Sequence, residues 1–312
     1  MMENTIKRRE FIKVLGLGLA GHGVVNPLTA GIAADRDRIG CTTVCFRTHF
    51  AATRPKGYNL PGKDLNLLDV PSMFVEKLGI HNVELWSKHF PEATIGYGEK
   101  LRKAAAKADA RILNIQLDEP PFDLCSPNKE KREACLKETM RWMNITASCG
   151  APTMRANVGG RKNDKLDVSI ATDSFQRLAE YGDGIGVKIL VENHGGMSSF
   201  AENVVAILNG VEHPNIGGLT DFGNIPAPME MPEHLAFLKK LLPHADLISA
   251  KGKTFDEDYK HISYDFGACV RTAEKVGFKG VYSIEMWAPD YIAPNPVRAI
   301  KALKRTILKN LT

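Results

Sequence analysis

The 312-residue chain predicts an α/β protein built as a single (β/α)8 barrel. Three observations predict it. From Arg38 onward one unit recurs eight times: a short β-branched or aliphatic run, a polar or glycine-bearing loop, then a longer stretch of helical periodicity. Gly79, Gly186 and Gly277 stand just before strand candidates, where helix C-caps end αβ connections. No linker, charge block or low-complexity tract divides residues 35–312, which therefore read as one domain. A doubly wound open sheet shares the periodicity, but eight evenly spaced units close more readily than they stay open.

Ahead of the first unit, residues 1–34 read as an export signal. Lys7, Arg8, Arg9 and Lys13 form a basic end, followed by a Gly-rich apolar run from Val14 to Val25. Such a run spans ~18 Å as a helix, short of the ~30 Å hydrocarbon core, so it is not a good transmembrane segment. Ala30, Ala33 and Ala34 offer cleavage points, and Arg8-Arg9 with Phe11 resemble a twin-arginine signal, which implies a periplasmic or otherwise exported protein. Gly16-Leu17-Gly18-Leu19-Ala20-Gly21 also satisfies G-x-G-x-x-G, with Asp35 or Asp37 near the place of a ribose-binding acid. Asn26-Pro27, however, interrupts the crossover helix that a dinucleotide site needs.

The eight predicted strands are Ile39–Thr48, Ile80–Trp86, Ala110–Leu117, Pro152–Val158, Val187–Asn193, Ile216–Asp221, Ala245–Lys251 and Gly280–Met286. Lys129–Ser148 and Pro296–Lys309 are the clearest helices. The latter starts at a first-turn proline and lines up Val297, Ile300, Leu303 and Ile307 on one face. The chain is 44% hydrophobic and 25% charged, enough for a sizeable core. Its net charge is +5, part of it in the N-terminal segment, too weak for a charge-driven nucleic-acid or membrane binder. Six cysteines occur without a C-x-x-C pair, which excludes zinc-knuckle and thioredoxin motifs. Cys41 and Cys45 fall on the first predicted strand, ~13 Å apart at ~3.3 Å per residue and too far to bond.

In a barrel, chemistry collects where strands end. Strand two ends Val83-Glu84-Leu85-Trp86 and strand three Gln116-Leu117-Asp118-Glu119; strand four carries Arg155 and Asn157 on one face. Strand five ends at Glu192-Asn193-His194, strand six at Asp221 before Asn224, strand seven at Ser249-Ala250-Lys251, and strand eight at Glu285-Met286-Trp287. Glu192, Asp221 and Glu285 thus sit at equivalent depths. Acids so close cannot all stay ionised without a compensating cation, which is either a divalent metal or a basic side chain such as Arg155 or Lys251. Oxygen ligands favour Mg2+ or Mn2+, and a histidine shifts the choice toward Mn2+ or Zn2+. His261, in the loop before helix seven, reads as a solvated loop histidine.

Val-Glu-Asn-His-Gly-Gly at 191–196, Thr-Asp-Phe-Gly-Asn at 220–224, Ser-Ala-Lys at 249–251 and Ile-Glu-Met-Trp at 284–287 resemble the xylose isomerase-like TIM barrels. This is the sugar phosphate isomerase/epimerase group, which also includes AP-endonuclease-like proteins, and the resemblance covers residues 38–310. It implies a divalent metal held by Glu192, Asp221 and Glu285. Ser249 stands where the family carries a strand-seven histidine ligand, and Asn224 where a second histidine is frequent.

The expected function is a sugar or keto-sugar isomerase or epimerase working through an enediolate. Glu192 and Glu285 act as base and acid, and a metal or Lys251 polarises the carbonyl. Glu84, Arg155, His194, Asn224 and Trp287 are the expected substrate contacts. A keto-glycoside lyase or dehydratase shares this chemistry. A non-catalytic carbohydrate-binding barrel and an AP-endonuclease-like phosphodiesterase are the other classes considered, the last disfavoured by the missing histidines and by the lack of a basic stripe. The expected partner is a small-molecule sugar, with no nucleic acid and no membrane insertion; a homo-oligomer is compatible with all of this.

Overall fold

The computed structural model describes residues 35–60, 62–118, 123–162, 164–226 and 228–312; the expected export signal at 1–34 and the Gly16–Gly21 motif lie outside the described residues, as does Glu119. Eight parallel strands close on themselves in sequence order: β1 (Ile39–Thr42), β2 (Asn82–Trp86), β3 (Arg111–Gln116), β4 (Thr153–Ala156), β5 (Lys188–Glu192), β6 (Ile216–Asp221), β7 (Ala245–Gly252) and β8 (Val281–Met286). Helices α1 (Val70–Leu78), α2 (Ile95–Lys107), α3 (Lys129–Ser148), α4 (Val168–Asp183), α5 (Ala201–Gly210), α6 (Met231–Leu241), α7 (Phe266–Lys275) and α8 (Pro296–Asn310) follow the strands in turn. The fold is the predicted (β/α)8 TIM barrel. Among the described residues, no helix is long and apolar enough to cross a membrane.

The helix ends follow local chemistry. Asn295 accepts from the Arg298 N–H ahead of Pro296, which suits a first turn because it has no amide proton to leave unpaired. Gly79, Gly186 and Gly277 have φ of 59°, 72° and 86°, the left-handed cap that lets a helix turn back into a strand. The barrel seam between β8 and β1 is fastened by Arg38. Its guanidinium reaches Glu274 at 2.7 and 2.9 Å, and Glu274 also accepts from the Tyr282 hydroxyl at 2.6 Å.

The barrel interior is layered. Leu113, Leu190, Leu219, Leu247 and Val281 form an apolar plug. Above it lies a polar layer of Glu84, Asn114, Thr153 and Ser283, all fully buried. The charged residues at the strand ends form the layer above that, facing solvent through the loops.

The first strand departs from expectation. It stops at Thr42, and Thr43–His49 coils into a 3-10 turn. The β-branched run favours a strand, but its hydroxyls are used otherwise. Thr42 Oγ1 accepts the Val44 N–H at 3.3 Å, while Thr43 Oγ1 accepts the Trp86 N–H at 2.9 Å and meets His89 Nδ1 at 2.9 Å. Coiling brings Cys45 Sγ to 3.8 Å from Cys41 Sγ, against the ~13 Å expected of an extended chain. All six cysteines are free and buried. His261 is likewise not a solvated loop residue. Its ring packs 4.5 Å from Tyr264 and 5.7 Å from Phe255, and burial lowers it to about 4.

Candidate active site

The strand ends surround an open cleft of about 510 Å3, bordered by Trp86, Gln116, Asp118, Arg155, His194, Asn224, Lys251, Lys253, Glu285 and Trp287. Lys251 sets its floor. The period of two that points Ser249 inward points Lys251 inward as well, one step nearer the mouth. Its Nζ lies 2.8 Å from Glu285 Oε1, 3.1 Å from Asp221 Oδ2 and 2.9 Å from Asn224 Oδ1, which engages all three ammonium protons. Burial works against the charge, but Asp221, Glu285 and Glu192 outweigh it and raise Lys251 well above the ordinary lysine range. Asp221 shows the other half of the same balance. Fully buried, it is nonetheless held below the usual carboxylate range by Lys251, with help from the Gly223 N–H at 2.7 Å.

Glu285 is held on both oxygens. Oε1 takes Lys251, while Oε2 accepts Gln116 Nε2 at 2.9 Å and Ser249 Oγ at 3.2 Å. Ser249 therefore supports the carboxylate, and Asn224 supports the ammonium.

A second cation faces this group. Arg155 Nη1 donates to Asp118 Oδ1 at 2.6 Å, to the Leu117 carbonyl at 2.9 Å and to Asn157 Oδ1 at 3.0 Å. Asp118 also accepts Trp86 Nε1 at 2.6 Å and Asn157 Nδ2 at 2.8 Å. Its carboxyl is half-buried, yet the guanidinium holds it far below its ordinary value. On its other side, Arg155 Nε approaches Glu192 Oε2 to 2.7 Å, but its N–H does not point at the oxygen; the two form an ion pair without a hydrogen bond. Burial, with the carboxylates of Asp221 and Glu285, pushes Glu192 well up, and the Arg155 contact opposes that rise. His194, next inward-facing residue along the chain, is lowered to about 4 by burial and the nearby Arg155, so its imidazole is neutral at ordinary pH.

The expected site residues thus fall at three depths. Arg155, His194, Asn224, Lys251, Glu285 and Trp287 border the cleft, with Trp287 on the rim at 43% exposure. Glu192 and Asp221 lie immediately behind them, buried and within contact of the two cations. Glu84 is one layer deeper and does not border the cleft: it is fully buried, bonded by Ser283 Oγ and by Asn114 Nδ2 at 2.7 Å, and raised to about 7 by that burial. The sequence reading assigned no role to Trp86, Gln116, Asp118 or Lys253. Each lies two residues along its strand from an inward-facing position, the signal by which they could have been found.

The donor set does not fit the expected metal ion. Two of the three proposed ligands, Asp221 and Glu285, are bound to an ammonium, and the third faces a guanidinium. A divalent ion among them would place two further positive charges against Lys251. Among the described residues, no group of three or more His, Cys, Asp or Glu is disposed to hold a metal. The charge these acids require is supplied by the chain itself.

Comparison with known proteins agrees with this architecture. The family model described as "Xylose isomerase-like TIM barrel" matches residues 74–309. A search of curated proteins gave no match. Among solved structures, the chain is similar to a xylose isomerase-like TIM barrel protein from Mycobacterium smegmatis in complex with magnesium, at 18% identity and a TM-score of 0.61, covering 88% of this chain and 98% of that one. It is also similar to apo 3-keto-D-glucoside 4-epimerase from E. coli, at 13% identity and a TM-score of 0.62, covering 86% and 99%. A sugar phosphate isomerase/epimerase from Parabacteroides distasonis shows 13% identity and a TM-score of 0.59 over 89% and 96%. At these identities the structures share the fold alone; the family model spans well over half of the sequence, and by it the chain belongs to the xylose isomerase-like TIM barrel family.

Proposed function

We propose that this protein is an enzyme that moves a proton next to the carbonyl of a sugar or keto-sugar, an isomerase or epimerase in which Lys251 holds the enediolate. The observation that carries the reading is the Lys251 ammonium fixed between Asp221, Glu285 and Asn224 at the floor of the cleft. A lysine kept so firmly protonated is neither a base nor an amine nucleophile. It is a preorganised positive charge, the device that stabilises an oxyanion as it forms.

In the proposed step Glu285 takes the proton from the carbon beside the carbonyl. The C–H electron pair becomes the new C=C bond, and the carbonyl π pair moves onto oxygen, facing Lys251 and Arg155. Neutral His194 relays the hydroxyl proton between adjacent oxygens, and return of a proton to carbon completes the isomerisation or epimerisation. Glu192 does not border the cleft; its part is to position Arg155. The names of the E. coli and P. distasonis neighbours support a sugar or keto-sugar as substrate. Loss of a β-substituent from the same enediolate would make the protein a lyase, and product identity separates the two.

The test is proton exchange in D2O. Sugars and 3-keto-glycosides incubated with the protein should lose the α-C–H signal in proton NMR at a rate proportional to protein concentration. No exchange on any carbonyl sugar, by protein that still binds sugars, would leave a carbohydrate-binding barrel and reject the enzyme.

A further inference from the structure

Lys253 follows Lys251 by two residues and runs beside it. A Cβ on Gly223 would lie 3.0 Å from Lys251 Cδ and 3.2 Å from Lys253 Cε, so the two stems lie together across that glycine. The two lysines are satisfied differently. Lys251 has three acceptors, whereas Lys253, among the described residues, makes no ion pair and no side-chain hydrogen bond.

Lys253 and Trp287 border both the main cleft and a small side pocket of about 20 Å3 beneath the loop after β8. That is room for about one water, so one oxygen of an acidic group can enter while the rest of the group stays in the adjoining cleft. Arg47 is the other cation on this pocket. Its Nη2 donates to the carbonyls of Ala288 at 3.3 Å and Tyr291 at 3.5 Å, and its guanidinium sits 6.0 Å from the Trp287 ring. Among the described residues, no carboxylate borders the pocket. Its one thiol, Cys45, is pushed up by burial and stays neutral. Burial lowers both Lys253 and Arg47, and for Lys253 the neighbouring Lys251 adds to it while Asp221 offsets it only in part.

We propose that this pocket binds an acidic substituent of the substrate, a carboxylate or phosphoryl group held by Lys253 and Arg47, while the sugar ring occupies the adjoining cleft. The proposal rests on the sugar-enolising reading only for the position of the ring. It makes the preferred substrate an anionic sugar and assigns Lys253 and Arg47 to specificity rather than to proton transfer.

The test is a titration of the full chain, read by intrinsic tryptophan fluorescence, with D-glucose, D-glucuronate and D-glucose 6-phosphate. At least one acid should bind about tenfold or more tightly than D-glucose, as a charge-assisted contact gives. The tighter acid identifies the source of the anion as a sugar acid or a phosphorylated sugar. Lys253→Met with Arg47→Met should bring acid and neutral sugar close to parity, Lys253→Met alone should reduce the preference, and Lys253→Arg, which keeps the charge, should retain it; circular dichroism checks all three for folding. Equal affinities for all three sugars, no saturable binding of either acid, or a preference left unchanged by Lys253→Met would overturn the subsite. Proton exchange without any charge preference removes the subsite and leaves the enzyme; a charge preference without exchange does the reverse.

Discussion

Lys251 and Glu84 are buried ionisable side chains one layer apart inside the barrel, and burial has opposite outcomes for them. Lys251 keeps its charge because carboxylates surround it, whereas Glu84 has only neutral hydroxyl and amide donors and is raised to about 7. A carboxyl whose folded value lies above the unfolded one contributes stability that is full below about 4.5 and lost as pH rises through about 7. At about 1.4 kcal/mol per unit, that loss is about 3 kcal/mol. The buried histidines act with the other sign. His194, lowered to about 4, and His89, to about 3, contribute stability present above about 6.5 and lost as pH falls toward those values. Comparing variants isolates the glutamate: Glu84→Gln should gain stability relative to the parent between pH 5 and pH 8 in urea unfolding. A pH-independent difference would mean that Glu84 titrates normally. At the mouth, Glu285→Gln removes the proposed base and one counter-charge of Lys251, and D2O exchange should fall by ~10²–10⁴-fold with circular dichroism unchanged. A loss smaller than about tenfold would assign the base elsewhere. Residue type was legible in the sequence at nearly all these positions. Depth was less so, because a period of two gives the face of a strand but not the layer, and Glu84 falls one layer below the cleft that Trp86 borders.

The connections that place the site are tight loops, and the one after β5 shows how narrowly. Gly196 has φ of 61°, and a Cβ there would lie 2.5 Å from the carbonyl oxygens of Gly159 and Gly160 in the loop after β4. Neither oxygen belongs to a side chain that can swing away. Gly196→Ala should therefore cost about 1–3 kcal/mol and displace His194, two residues earlier. Calorimetry should show the thermal midpoint lowered by several degrees; an unchanged midpoint would mean that the two loops yield together. Seven strand positions were legible from β-branched runs flanked by glycine and polar loops, with ends shifted by a residue or two. Of the first, only the start at Ile39 was legible, because Thr42 and Thr43, which favour a strand, also carry the hydroxyls that cap a turn and bind the next strand. That competition is decided by neighbours far away in sequence, and it also moves Cys45 beside Cys41.

Across the whole molecule, closing eight strands brings Arg155 and Lys251 among the carboxylates of Asp118, Glu192, Asp221 and Glu285. The need for a cation at that place was legible from the acids alone. Its identity was not, because a metal and an ammonium answer the same electrostatic demand and only side-chain reach distinguishes them. Ser249 and Asn224, read singly, are lost ligands; together with Lys251 they form one network, with Ser249 on Glu285 and Asn224 on the ammonium. The most direct measurement of this assignment is the rate of α-proton exchange after exhaustive chelation, for the parent and for Lys251→Met. The account predicts full exchange by the chelated parent and a loss of at least ~10²-fold in Lys251→Met that added Mg2+ or Mn2+ does not restore. Exchange abolished by chelation and recovered on adding either ion to the parent would contradict it.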